Sequence, residues 1–247
     1  AKAEGFTAVG HLTPFLDEDR ELPYFKTHAS KIRDAIDTVG MYRDAVGNSV
    51  DLCIEIHRRL TPAEAVVLAR GIEDFHPYFY EDPILPENFD AMGLVANNIS
   101  VPIATGERLH SIHEFQMLLS RGAVQYVRPD VCLAGGITHT KKIAAIAEAN
   151  YVEVVPHNPL GPVSTAACLQ IAAAIPNFAI QEYPLGELEP PKSEIVNKPL
   201  ELEDGFLLIP DAPGIGIEIV EGAEEKYPPI QREVNTRLHR DGSVFDQ

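Results

Sequence analysis

Six ionisable residues recur along this sequence at nearly equal intervals, each closing a short run of β-branched, aromatic or small apolar residues. They are Glu55, Glu81, Glu107, Asp130, His157 and Glu182, one every 23 to 27 residues. That interval fits one strand, one helix and two short connections, and a strand that returns in the same direction needs such a crossover. Repeated in series, the unit predicts a parallel α/β barrel rather than a sandwich or a helical bundle. In parallel barrels chemistry collects where strands end, and all six residues fall at those positions.

The elements between them follow the same rhythm. "FTAVGHL" reads as a strand, followed by a helix over 28–46. "VDLCIEIH" is followed by a helix opened by "TPAEA", in which Thr61 serves as N-cap, Pro62 as first helical residue and Glu64 as capping-box partner. "YFYEDP" leads to a helix near 88–97 and "PIATGE" to one near 111–121. "VQYVRPD", the glycine turn "AGGIT", the helix "THTKKIAAIAEAN", "VEVVPH", the helix "VSTAACLQIAAAI" and "FAIQEY" complete seven strand–helix steps. From residue 184 the Pro-, Gly- and acid-rich stretch breaks the rhythm. The expectation is a barrel over 1–183 and an extension over 184–247 packed beside it in the same domain.

Alternation along "VDLCIEIH" puts Asp51, Cys53, Glu55 and His57 on one face and Val50, Leu52, Ile54 and Ile56 on the other. A wet polar face on an antiparallel sheet accounts for a single strand of this kind. It does not account for acids or histidines in phase on successive strands. Crowded carboxylates raise each other's pKa or repel unless a cation joins them. Glu55, Glu81 and Glu107, from adjacent strands, form an oxygen-only set suited to Mg²⁺. Asp130 ends the strand before His157, and neighbouring strands lie about 4.8 Å apart, so their side chains can pair. Such a pair fixes the imidazole tautomer and raises its basicity, as a general base requires.

Composition restricts the partners. A chain of 247 residues, 45% of them hydrophobic, fills one barrel of about 250 residues. The formal charge of −17 argues against nucleic acid or an anionic membrane as partner. Cys53, Cys132 and Cys168 show no CxxC spacing, which speaks against a disulfide framework or a zinc site and for a reducing, cytoplasmic setting. No run reaches the roughly 18 apolar residues of a membrane span, and "AKAEGFTAVG" lacks the features of a signal peptide. Without an initiator Met, the chain reads as a processed or partial product.

The motifs "YEDPILPEN", "ATGERL", "VRPDVCLAGGIT", "PHNPLGPVSTAACL" and "IQEY", in this order, resemble the enolase superfamily, and within it the acid-sugar dehydratases of the mandelate racemase group. The tail segments "PGIGIEI" and "RDGSVFDQ" are similar to those of galactonate dehydratases. The resemblance implies a TIM-like modified (β/α)7β barrel that holds Mg²⁺ through Glu55, Glu81 and Glu107, with His157 and Asp130 as the basic dyad. It makes His57 the acid acting on the departing hydroxyl and Glu182 the partner of the substrate carboxylate. It also implies an N-terminal α+β capping domain, which this sequence does not contain, and assembly as a dimer or octamer. Members of the group usually carry Asp where Glu55 stands, so the metal geometry must absorb one more methylene.

The implied reaction is Mg²⁺-dependent dehydration of an aldonate, such as galactonate or gluconate, to a 2-keto-3-deoxy acid through an enediolate. The rival readings are an epimerase or racemase of the same superfamily and a non-catalytic barrel that binds without turnover. No lysine stands at a strand end, which disfavours lysine-base racemases and Schiff-base aldolases.

Overall fold

The computed structural model describes residues 2–15, 26–231 and 238–244. Residues 245–247 of the "RDGSVFDQ" motif lie outside them. Six strands alternate with helices: β1 (Ala8–Leu12), α1 (His28–Val46), β2 (Asp51–Glu55), α2 (Pro62–Ile72), β3 (Phe79–Glu81), α3 (Phe89–Ala96), β4 (Ile103–Thr105), α4 (Ile112–Leu119), β5 (Tyr126–Val127), α5 (Gly136–Ala149), β6 (Glu153–Val154) and α6 (Pro162–Ala174). The strands run parallel in chain order, so each helix crosses back to start the next strand.

The helix boundaries have local causes. At α2 the capping box forms as expected: the Glu64 amide donates to Thr61 Oγ1 and the Thr61 amide to Glu64 Oε2, with Pro62 in the first turn. Ser111 and Glu114 make the same reciprocal pair at α4. Asn88 caps α3 by accepting from the Ala91 amide. Each cap satisfies backbone donors that the first helical turn leaves open.

Alternation on β2 separates two apolar layers. Leu52 and Ile54 point outward and join Ile32, Ala35 and Val39 of α1 and Leu68 and Ile72 of α2 in the main core. Cys53 points inward and packs with Phe79, Ala104 and Val155. The strand is therefore buried on both faces, as a parallel sheet covered by helices requires. Glu55, on the inward face, is 1% exposed, so the wet-face reading of this strand does not hold.

Register then brings the strand ends together. Glu55 lies beside Glu81, Glu81 beside Ala104, and Thr105 beside Val127. Gly106 at φ +137° carries the chain from β4 to Glu107. A Cβ there would lie 2.7 Å from the Phe115 ring and 3.1 Å from the Arg128 amide nitrogen, so only glycine fits. Past β5 and β6, Asp130 and His157 form an isolated parallel bridge.

One expectation is modified. "FAIQEY" forms no ladder: Phe178 bridges Val154 and the Ala179 amide donates to the Val154 carbonyl, after which residues 180–183 leave the sheet. The free flank of this segment and β1 both line a cavity of about 380 Å³ among Phe6, Ala8, Ile180 and Tyr183. Among the described residues no ladder or bridge joins the two. Among the described residues the barrel wall is thus six paired strands and one bridged segment, with no eighth strand. In the extension, Leu202–Glu203 (β7) and Phe206–Leu207 (β8) form a short hairpin. Val196, Leu200 and Ile217 pack on Ala166 and Leu169 of α6, which fastens the extension to the outside of the barrel.

Candidate active site

Glu55, Glu81 and Glu107 converge at the strand ends. One oxygen of each lies within 4.8 Å of the others, and all three residues are buried. Burial, then the charges of Glu81, Asp82 and Glu107, raise the Glu55 carboxyl well above the usual range. Burial likewise raises Glu81, against the pull of Arg128. The cluster is thus costly as it stands. Glu55 Oε1 accepts from the His57 amide, whereas Glu55 Oε2 is buried with no hydrogen-bond partner. A set of hard carboxylate oxygens with one such orphan fits Mg²⁺.

Three charged residues that sequence reading passed over sit among these carboxylates. Arg128 pairs with Glu81 and with Glu182. Arg58 places Nη1 3.0 Å from Asp82 Oδ2 and 2.5 Å from Glu107 Oε1. Asp82 also accepts from the Thr105 hydroxyl. Arg128 had a signal, since alternation puts it in phase with Asp130. Arg58 had none, because the backbone enters the left-handed region at His57 (φ 56°) and Arg58 (φ 66°), and strand phase cannot be extended past Glu55.

His157 is held from both sides. Its Nδ1 lies 2.9 Å from Asp130 Oδ2 and its Nε2 3.2 Å from Glu107 Oε2. Asp130 is itself fixed by the Cys132 amide at 2.7 Å. Burial works against the charged imidazole, but the hydrogen bonds to Asp130 and Glu107 prevail and raise His157 to about 9. On Glu107 burial acts upward, and the bonds from His157 and Arg58 outweigh it and hold the carboxyl far below its ordinary value.

His57 and Glu182 flank this centre. Arg58 Nη2 lies 2.9 Å from His57 Nε2, and the His11 ring stands edge-on with its centroid 6.5 Å from that of His57. Burial, then the Arg58 charge, lower His57 to about 4. Glu182 accepts from the Asn158 amide at 2.8 Å and faces the 380 Å³ cavity together with Glu81, Arg128 and His11. All seven residues expected from the sequence therefore lie at one end of the barrel, with His57 on Arg58 rather than against His157.

Residues 14–223 match the family described as enolase C-terminal domain-like. The chain belongs to this family. Among curated relatives, a D-galactonate dehydratase family member of Streptomyces bingchenggensis is 36% identical over 219 residues, 88% of this chain and 53% of that protein. The D-galactonate dehydratase of Xanthomonas oryzae is 38% identical over 226 residues, 88% of this chain and 59% of that protein. This chain thus spans little more than half the length of these relatives. Among solved structures, an enolase from Agrobacterium radiobacter with bound sodium and L-malate superposes with a TM-score of 0.88 at 32% identity, over 97% of this chain and 63% of that one. A mandelate racemase/muconate lactonizing enzyme from Sulfitobacter gives 0.85 at 32%, over 96% and 59%. These enolase-family matches bear out the TIM-like barrel reached from strand spacing. No described helix is long and apolar enough to cross a membrane.

Proposed function

We propose that this chain is the catalytic barrel of a Mg²⁺-dependent dehydratase that converts a sugar acid, an aldonate such as galactonate or gluconate, to its 2-keto-3-deoxy acid. The observation that carries the reading is the Asp130–His157 pair set directly against the three-carboxylate cluster through Glu107. A base beside a cation-binding set is what removal of a proton next to a carboxylate needs. Kinship with proteins named D-galactonate dehydratase supports the substrate class.

Glu55, Glu81 and Glu107 hold the metal. Bound Mg²⁺ supplies positive charge against which a substrate carboxylate can accept the electrons of the broken C–H bond. Asp130 fixes His157 through Nδ1, and Nε2, which rests 3.2 Å from Glu107 Oε2, is the atom that takes the C2 proton once it turns from Glu107 to the substrate. Arg128 and Glu182 place paired charges at the cavity wall, where Glu182 orients the substrate's carboxyl end. His57 delivers a proton drawn from solvent to the C3 hydroxyl, which leaves as water. With Arg58 on its ring it is an acceptor, so this duty requires the guanidinium to withdraw.

The test is a panel of aldonates incubated with Mg²⁺ and the complete gene product, with 2-keto acid trapped by a carbonyl reagent. Keto acid from one or a few stereoisomers is the expected result. A product that remains a hydroxy acid inverted at C2 makes the protein an epimerase, and metal binding without turnover of any member makes it a binding barrel.

A further inference from the structure

Arg58 occupies a position that neither strand geometry nor charge pairing at the surface explains. Its side chain is 2% exposed, and its backbone adopts the left-handed conformation directly after His57, which does the same. Two successive non-glycine residues in that region carry a conformational cost that surrounding contacts must offset. What offsets it is a fan of contacts from one guanidinium. Nη1 reaches Asp82 and Glu107, Nη2 reaches His57, and the Arg58 amide donates to the Asp82 carbonyl at 2.7 Å.

Glu107 is the member of the carboxylate cluster with both oxygens engaged. Oε1 faces Arg58 at 2.5 Å, with Arg108 Nε farther off at 3.5 Å, and Oε2 faces His157. Glu55, by contrast, keeps an oxygen without a partner. A divalent cation drawing on all three carboxylates therefore approaches a Glu107 oxygen that already serves Arg58 and, at longer range, Arg108, or one that serves His157. His157 is tied by Asp130 and by the backbone bridge, whereas Arg58 retains Asp82 if it lets Glu107 go.

We propose that Arg58 is a resident cation of the carboxylate cluster, which holds Glu107 when no divalent ion is bound, yields it when one arrives, and thereby sets the metal affinity of the site. The proposal rests on the assignment of Glu107 as a metal ligand. Arg58 acts as a positioning residue: it neutralises charge that would otherwise repel, and it competes for the same oxygen. The cost of that competition is a weaker site than three buried carboxylates alone would make.

The experiment is titration of the protein with Mn²⁺, following the free-ion signal by electron paramagnetic resonance, for wild type, Arg58→Gly and Arg58→Lys. Glycine removes the guanidinium and suits the left-handed backbone. Lysine keeps one charge but cannot bridge two carboxylates and an imidazole at once. Loss of a buried competing charge predicts Mn²⁺ binding about tenfold tighter or more in Arg58→Gly, with Arg58→Lys in between. Circular dichroism establishes which variants fold, and Arg58→Lys alone decides if the glycine variant does not. Affinity equal to or weaker than wild type in the folded variant overturns the proposal while leaving the metal assignment standing. Absence of Mn²⁺ binding in wild type and variants alike overturns both.

Discussion

His157 and Asp130 are joined twice, by a parallel backbone bridge between the ends of neighbouring strands and by a 2.9 Å contact between Nδ1 and Oδ2. The first link fixes the spacing of the two residues, and the second fixes the ring. Asp130→Asn keeps the shape but removes the charge that favours the Nδ1–H tautomer. It is expected to lower kcat by about 10²-fold or more, the usual size of a positioned acid–base contribution, with little change in KM. A change confined to KM would mean that Asp130 serves binding rather than the base.

The carboxylate cluster makes a separate prediction. Glu81→Gln and Glu107→Gln each remove one ligand charge at nearly constant volume, and each is expected to lose bound Mg²⁺ and all Mg²⁺-dependent turnover. Glu55→Asp shortens the side chain by one methylene and should keep both. Metal content after dialysis, set beside activity, reads this directly. Full activity of either glutamine variant, or of wild type in excess chelator, contradicts the ligand assignment.

Stability should depend on pH through His157. Its folded value is raised to about 9 from an ordinary 6.5, so between these values the folded protein binds a proton that the unfolded chain does not. The contribution is complete below about pH 6.5 and disappears as pH rises through 9. Thermal melting in chelator should accordingly show a fall in Tm across that window, and His157→Asn should flatten it. A Tm that rises over the same window would contradict the two hydrogen bonds assigned to the imidazole.

Most of this architecture was legible because strand ends leave a periodic trace. Glu55, Glu81 and Glu107 could be read as one set since short parallel strands with similar crossovers must present equivalent positions at one end. Thr61 and Glu64 likewise announced the start of α2. What escaped lies where backbone phase is lost or where a guanidinium stands for a metal. Asp82, at φ 41°, follows Glu81 immediately and turns back into the cluster to meet Arg58. Arg128 is in phase with Asp130, but a cation at a strand end carries no mark in the sequence that it neutralises Glu81 and Glu182 from other strands. The seventh strand read from "FAIQEY" is a single bridge from Phe178 to Val154, after which residues 180–183 carry no ladder.

The account centres on a division of labour between two histidines, with His157 taking the C2 proton and His57 serving the departing hydroxyl. Its most direct test is solvent deuterium exchange at C2 of a turned-over aldonate, followed by proton NMR for His157→Asn and His57→Asn. His157→Asn should lose both dehydration and exchange, since the C–H bond is never broken. His57→Asn should lose dehydration by about 10²- to 10⁴-fold yet still place deuterium at C2 of recovered substrate, because the base can remove and return the proton. Exchange that survives in His157→Asn and vanishes in His57→Asn would contradict this assignment and make the Asp130 pair a structural support.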